Sequence, residues 1–255
     1  MMKGGWALAQ AVLTILMHLI GACLIGLAMI PSLAIVLTTI EWTATTNFAV
    51  KVASIAIALG LAYITYCYSI VLVIGGLRVL LQLRLTPGEP AMLSASGIKW
   101  GFLSALHQIV RATALKFLVP TLVGNMYYRL MGAKIGKGVQ INTQILHDAT
   151  LMTIEDYAVI GGGASINGHI IERRHLILAP VHIGPRSTIG TGCLIMPGVT
   201  VGEGAIVAAR SVVPKHTTIG AYEIWAGMPA IKIGERTPRS KRGKKSAAAS
   251  QTSEE

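Results

Sequence analysis

The side chains best suited to moving a proton near neutral pH are the histidines, because imidazole titrates at about 6.5. Four of them, His147, His169, His175 and His182, fall close together in a chain of 255 residues. Carboxylates able to steer an imidazole stand among them: Asp148, Glu155 and Glu172. The same histidines gathered around one point would suit zinc. Three cysteines, Cys23, Cys67 and Cys193, are scattered with no CxxC spacing, which argues against a disulfide framework and fits a reducing, cytoplasmic side. Gly161-Gly162-Gly163 resembles a phosphate loop, but it keeps the phase of a repeat in which glycine turns corners, so it is read as structural.

That repeat must position the histidines. Ile183, Ile189, Ile195, Val201, Val207, Val213 and Ile219 recur every six residues, and Ile135, Ile141, Ile154, Ile160 and Ile166 carry the pattern upstream. Gly184, Gly190, Gly202 and Gly220 follow directly behind an aliphatic, and Ser187, Cys193, Val199, Ala205 and Ser211 stand four places on. A period of six predicts a coil of three short faces. The aliphatic points inward, a small residue turns the corner, and Gly relieves crowding where the backbone needs positive φ. The period slips twice: Ile141 to Ile154 is thirteen residues rather than twelve, and Ile166 to Ile183 is seventeen rather than eighteen. Slips in a solenoid become loops on its flank, where sites are built. The second slip holds Gly168, His169, Glu172, Arg173, Arg174 and His175.

Upstream the chemistry is that of a membrane. The chain is 53% apolar and 13% charged with mean hydropathy +0.61, whereas charged residues make up about 25% of an ordinary soluble domain. Between Gly4 and Leu77 the only acids or strong bases are Glu41 and Lys51. Two uncharged runs, residues 6–29, ended or kinked at Pro31, and residues 52–77, are each long enough to cross a bilayer. His18, within the first, is read as satisfied by an interhelical hydrogen bond. Lys3, Arg78, Arg84 and Lys99 flank the pair, so the positive-inside rule places both termini and everything after the second span in the cytoplasm. After the turn residues 86–90, residues 100–119 set Ser104, His107, Gln108 and Arg111 among apolar neighbours at helical spacing, predicting an interfacial amphipathic helix that breaks at Pro120. The net charge of +11 owes much to six bases between Arg236 and Lys245, so the folded part offers nucleic acid no basic face. The tail lacks an apolar period and is expected to be disordered and solvated.

The repeats end in Trp225-Ala226-Gly227-Met228-Pro229-Ala230-Ile231-Lys232-Ile233, and on these residues the chain resembles the hexapeptide-repeat acyltransferases. It is similar in particular to the membrane-linked β-helix units of nonribosomal-peptide-synthetase-like and poly-lysine-synthetase-like proteins. Leu118-Val119-Pro120, Arg129-Leu130-Met131-Gly132-Ala133-Lys134-Ile135-Gly136 and Leu151-Met152-Thr153-Ile154-Glu155-Asp156 carry that likeness, which covers about half the chain. The resemblance implies a left-handed parallel β-helix, assembly as a homotrimer, and acyl-CoA or acetyl-CoA as co-substrate without a metal. It implies that His169 is the general base, in a cleft between protomers; backbone N–H groups or an amide such as Asn167 would meet the oxyanion. Glu172, Asp148 and Glu155 are all candidates to hold the other ring nitrogen. It also implies that Trp225, Gly227, Pro229 and Ala230 lie beside the pantetheine arm.

The expected fold class is therefore membrane α plus all-β. Residues 1–85 form a transmembrane hairpin, 86–132 a turn and interfacial helix, 133–234 the β-helix and 235–255 a basic tail. The expected function is acyl transfer from CoA to a hydroxyl or amine of a membrane-associated acceptor by an integral membrane protein. Two other readings stand beside it: a non-catalytic subunit of a hetero-oligomeric membrane complex, and a zinc protein like the γ-carbonic anhydrases. The histidine spacings suit the zinc reading poorly, with 22 residues from His147 to His169 and six from His169 to His175.

Overall fold

The apolar runs upstream fold as two long helices, α1 (Met2–Trp42) and α2 (Phe48–Leu80). The computed structural model describes residues 2–173 and 175–237, with side chains from residue 10 onward. Both helices are long and apolar enough to cross a membrane. The first does not stop at Pro31, where the sequence suggested a kink or an exit; it runs on to Trp42. Proline removes one donor at a cost of about 3 kcal/mol, and the helix continues through it. Thr39 and Thr43 return their hydroxyls to Ile35 O and Thr39 O at 2.8 and 2.7 Å. Asn47 caps α2 by accepting from Val50 N at 3.0 Å. Glu41 and Lys51 are thus helical, and the connector shrinks to 43–47.

The chain divides into two compact units, Met1–Leu83 with Ile98–Met131, and Arg84–Gly97 with Gly132 onward. In the first, α3 (Ala95–Val110) passes through one π-helical turn (Arg111–Leu115) into α4 (Lys116–Leu118), followed by α5 (Leu122–Leu130). Leu103, Leu106, Val110, Leu115 and Leu118 are buried in this unit. His107, expected on the polar face, is buried instead, its Nδ1 2.9 Å from the Tyr127 hydroxyl, and burial pushes the Tyr127 phenol well above its ordinary pKa. Gly75 of α2 lets Leu130 of α5 approach; a Cβ there would lie 2.7 Å from the leucine's own.

The second unit is a parallel β-helix. Strands β1 (Lys134–Ile135), β3 (Met152–Ile154), β8 (Val181–Ile183), β11 (Thr200–Val201) and β14 (Thr218–Ile219) stack in one sheet. A second holds β5 (Ser165–Ile166), β10 (Leu194–Ile195) and β13 (Val212–Val213). The third runs β2 (Gln140–Ile141), β4 (Val159–Ile160), β9 (Thr188–Ile189), β12 (Ile206–Val207), β15 (Glu223–Gly227) and β16 (Ala230–Glu235). Ile183 pairs with Val201 and Val201 with Ile219, one full coil being three sixes. All seven aliphatics from Ile183 to Ile219 are buried, as are Ser187, Cys193, Val199, Ala205 and Ser211 at the corners. β15 and β16, an antiparallel hairpin, close the last coil.

Glycine plays two roles here, not the one expected. Positive φ falls three residues after the inward aliphatic, at Gly192, Gly198 and Gly204 and also at Arg186, Arg210, His216 and Tyr222. At Gly198 no side chain would fit, because the His216 ring from the next coil lies over it. The glycines directly behind the aliphatic need room rather than freedom: a Cβ on Gly190 would sit 2.5 Å from Ala209 N.

The second slip is also larger than the sequence count implied. Ile154 pairs with Ile183 and Ile195 with Ile166, so one coil spans 29 residues instead of 18. The surplus is an antiparallel hairpin, β6 (His169–Glu172) and β7 (His175–Leu178), that leaves the coil after β5 and returns at β8. The basic tail lies outside the described residues except for its first three, of which Glu235 ends β16.

Candidate active site

His169 is the first residue of β6, at the point where the hairpin departs from the coil. One coil earlier, the first slip is taken up by an irregular face between β2 and β3. Thr143 shapes it, donating its buried hydroxyl to Ala164 O at 2.7 Å and accepting from Ile145 N at 3.1 Å. Leu146 then bridges in parallel to Ile166, and His147 N donates to Ile166 O at 2.9 Å. Asp148 follows with φ +58 and starts a 3-10 turn (Ala149–Leu151). The two irregular stretches therefore lie side by side.

Their meeting point is one carboxylate oxygen. Asp148 Oδ2 lies 2.6 Å from His169 Nδ1 and accepts from Gly168 N at 3.1 Å. The Asp148 side chain is 2% exposed and that of His169 24%. Gly168 permits this approach, since a Cβ there would come within 3.0 Å of Asp148 Cβ. A carboxylate oxygen only accepts, so Nδ1 carries a proton, and in the neutral ring Nε2 is then the acceptor. The His147 ring stands edge-on to His169, centroids 6.0 Å apart at 78°.

The remaining candidates separate around this pair. Of the three carboxylates, Asp148 holds the ring. Glu172, at the far end of β6, is ion-paired with Lys215 at 2.5 Å, and Glu155 lies 3.4 Å from His182 Nε2. Asn167 anchors its backbone N to Ile195 O at 3.0 Å, while its Oδ1 accepts from Ser165 Oγ at 3.3 Å. His175 is exposed, paired opposite Glu172 near the hairpin tip, and Arg174 lies outside the described residues. Among the described residues no three His, Cys, Asp or Glu side chains form a group that could hold a metal ion. His147 is brought to the site because a coil neighbour is about twenty residues distant in sequence.

Trp225, Gly227, Pro229 and Ala230 belong to the closing hairpin on the six-stranded sheet, whereas His169 departs from the three-stranded one. Trp225 Nε1 donates to Glu223 Oε2 at 2.8 Å, and Gly227 N donates to Ser211 Oγ at 3.2 Å. The Lys232 ammonium, then the Trp225 indole and Gly220 N, hold the Glu223 carboxyl down at about 2. Gly227 turns the chain at φ +103, and Met228, Ile231 and Ile233 are exposed beyond it.

Coils of this repeat define a family. Residues 180–215 match the bacterial transferase hexapeptide (six repeats). The putative colanic acid biosynthesis acetyltransferase WcaF of Escherichia coli (strain K12) is 32% identical over 133 residues, covering 42% of this chain and 72% of that protein. The chain belongs to the bacterial hexapeptide-repeat transferases. It is similar as well to the delta-poly-L-ornithine synthetase of Acinetobacter baumannii, at 28% identity over 180 residues, which are 70% of this chain and 13% of that protein. A solved hexapeptide-repeat acetyltransferase of Vibrio cholerae, complexed with acetyl coenzyme A, aligns over 62% of this chain and 98% of its own at 21% identity and TM-score 0.46.

Proposed function

We propose that the chain is a membrane-anchored acyltransferase that moves an acetyl or longer acyl group from CoA to a hydroxyl or amine of a membrane-associated acceptor. The observation that carries this reading is the His169 ring held by buried Asp148. An alcohol is a weak nucleophile until a base removes its proton. His169 Nε2 takes that proton as the acceptor oxygen or nitrogen bonds to the thioester carbonyl. The Asp148 carboxylate stabilises the imidazolium so formed. The oxyanion is met by backbone N–H groups or by the Asn167 amide. Collapse breaks the carbon–sulfur bond, and the imidazolium returns its proton to the departing thiolate, leaving an ester or amide and free CoA.

The closing hairpin with Trp225, Gly227, Pro229 and Ala230 serves the pantetheine arm. The proposed assembly is a homotrimer, with His169 in the cleft between protomers, as in the family the chain resembles. α1 and α2 anchor the enzyme with the β-helix and both termini in the cytoplasm. This is supported by their length, their apolar composition and the bases that flank them. The test is His169→Ala in purified full-length protein, with release of free thiol from acyl-CoA as the measure. Loss of about 10²-fold to 10⁴-fold is expected of a missing general base, and an unchanged rate refutes the assignment.

A further inference from the structure

The segment between α2 and α3 does not behave as a loose connector. It belongs to the same compact unit as the β-helix, although more than forty residues separate it in sequence from Asp148. Leu85, itself buried, donates its backbone N–H to Thr150 Oγ1 at 3.2 Å. Thr150 lies in the 3-10 turn that begins directly after Asp148. Three residues later the segment changes partner. Gly88 N donates to Leu178 O at 2.9 Å, Leu178 N returns a bond to Gly88 O at 2.8 Å, and Leu176 N donates to Pro90 O at 3.2 Å. Antiparallel bridges join Gly88 to Leu178 and Ala91 to His175. The segment is thus bridged in antiparallel fashion to the β7 edge of the β6–β7 hairpin, whose other strand begins with His169.

Resting on the reading of His169 and Asp148 as a catalytic pair, we propose that residues 85–91 are a positioning strap for that pair, with Leu85, Gly88 and Thr150 as its positioning residues. One end of the strap grips the turn that presents Asp148, and the other grips the hairpin that presents His169. Among the described residues neither partner is held by regular coil pairing: Asp148 sits in an irregular face, and β6 pairs with β7. A two-stranded hairpin alone is marginal in water, and the backbone bonds from Gly88 and Pro90 tie this one to the segment. The buried Leu176 and Leu178 on β7 keep the pairing dry. Pro87 and Pro90 stiffen the segment without loss to the pairing, since Pro90 contributes only its carbonyl. The strap is continuous in sequence with α2, which ends at Leu80, and with α3, which begins at Ala95. Restraint of those two helices therefore reaches the pair along a short covalent path.

Two substitutions loosen the strap without touching the pair. Thr150→Val keeps the shape and removes the acceptor, with Thr150→Ser as the conservative rescue. Gly88→Ala imposes a Cβ where φ is +144, although no atom lies within 4 Å of its position, so only the backbone is disturbed. The full-length protein in detergent, labelled with ¹⁵N in histidine, reports the His169 tautomer directly, and acyl transfer is measured on the same samples. Thr150→Val and Gly88→Ala are expected to move His169 from a single Nδ1–H tautomer to a mixture. They should lower kcat about tenfold to a hundredfold, the scale of a misplaced reacting group, with KM for acyl-CoA within about twofold, while Thr150→Ser behaves as wild type.

Variants that melt like wild type and keep the wild-type His169 resonance overturn the strap, whatever happens to kcat. Should Gly88→Ala fail to fold, the Thr150 pair decides alone. A shifted resonance in a protein that shows no acyl transfer even as wild type upholds the strap and refutes the acyltransferase reading, which keeps the two failures apart.

Discussion

Asp148→Asn isolates the electrical part of the His169–Asp148 contact. Asn is among the few residues that tolerate φ near +58, so the backbone at 148 should not move. Its side-chain oxygen can still accept from Gly168 N and from His169 Nδ1, the two bonds that Asp148 Oδ2 accepts now. What disappears is the charge facing the imidazolium that forms during proton transfer. At 2.6 Å, with the aspartate side chain 2% exposed, solvent screens little of it. A hydrogen bond to a charged group is worth about 1.5–3 kcal/mol, which corresponds to about 10-fold to 150-fold in rate. If the amide instead turns its NH₂ toward the ring, Nδ1 becomes the acceptor, Nε2 carries the proton, and no base remains; that inversion costs about 10⁴-fold in a serine-protease triad. The assay is single-turnover acyl transfer to a simple alcohol under saturating acyl-CoA, with thermal melting as the control for folding. A variant that turns over within about twofold of wild type, while His169→Ala is inactive, would show that Asp148 is structural and that the charge argument is wrong.

Three further outcomes follow from the coil and its ends. Gly190→Ala should destabilise the β-helix more than Gly163→Ala in thermal melts. The first drives a Cβ to 2.5 Å from Ala209 N, whereas the second meets nothing within 4 Å and bears only the strain of φ +66, about 1–2 kcal/mol; equal losses would contradict the two roles assigned to glycine. Glu223, held at about 2 against an ordinary 4.5, contributes stability that is complete above about 4.5 and is lost as pH falls toward 2. Glu223→Gln should therefore flatten the melting temperature between pH 5 and 2 relative to wild type, and parallel curves would remove the carboxylate from the closing hairpin's stability. A cysteine placed at Thr45, in the connector between α1 and α2, should react with an impermeant maleimide added outside intact cells. Labelling only after lysis would reverse the proposed topology.

The regular part of the fold was legible because its cause is local. An inward aliphatic every six residues is a demand each coil makes of its own sequence, and the run Ile183 to Ile219 meets it at every step. The glycines were legible as corner residues but not as two kinds, because crowding by the next coil depends on a residue eighteen or nineteen places away, as Gly190 and Ala209 show. The slips were harder. A count of seventeen between Ile166 and Ile183 can be two extra faces less one residue, or a single face with an eleven-residue hairpin, and periodicity cannot choose between them. The hairpin's own pairing, Ile170 with Ile177 and Ile171 with Leu176, decides it. His107 failed because it was judged by what water favours, whereas its helix packs it against Tyr127 and Tyr128.

The choice among Asp148, Glu155 and Glu172 turned on the same bookkeeping. In an unbroken coil the residue beside position 169 would be 151, eighteen places back, and no carboxylate stands there. The irregular face between β2 and β3 shifts the match to Leu146 beside Ile166, twenty places back, and so carries Asp148 to Gly168 and His169. Two departures from the repeat on successive coils have to compensate each other for the ring and the carboxylate to meet. A regular solenoid offers every flank the same small residues and no chemistry. The pair exists because the sequence breaks its own period twice, at adjacent places, with Thr143 and Gly168 making each break fit the other.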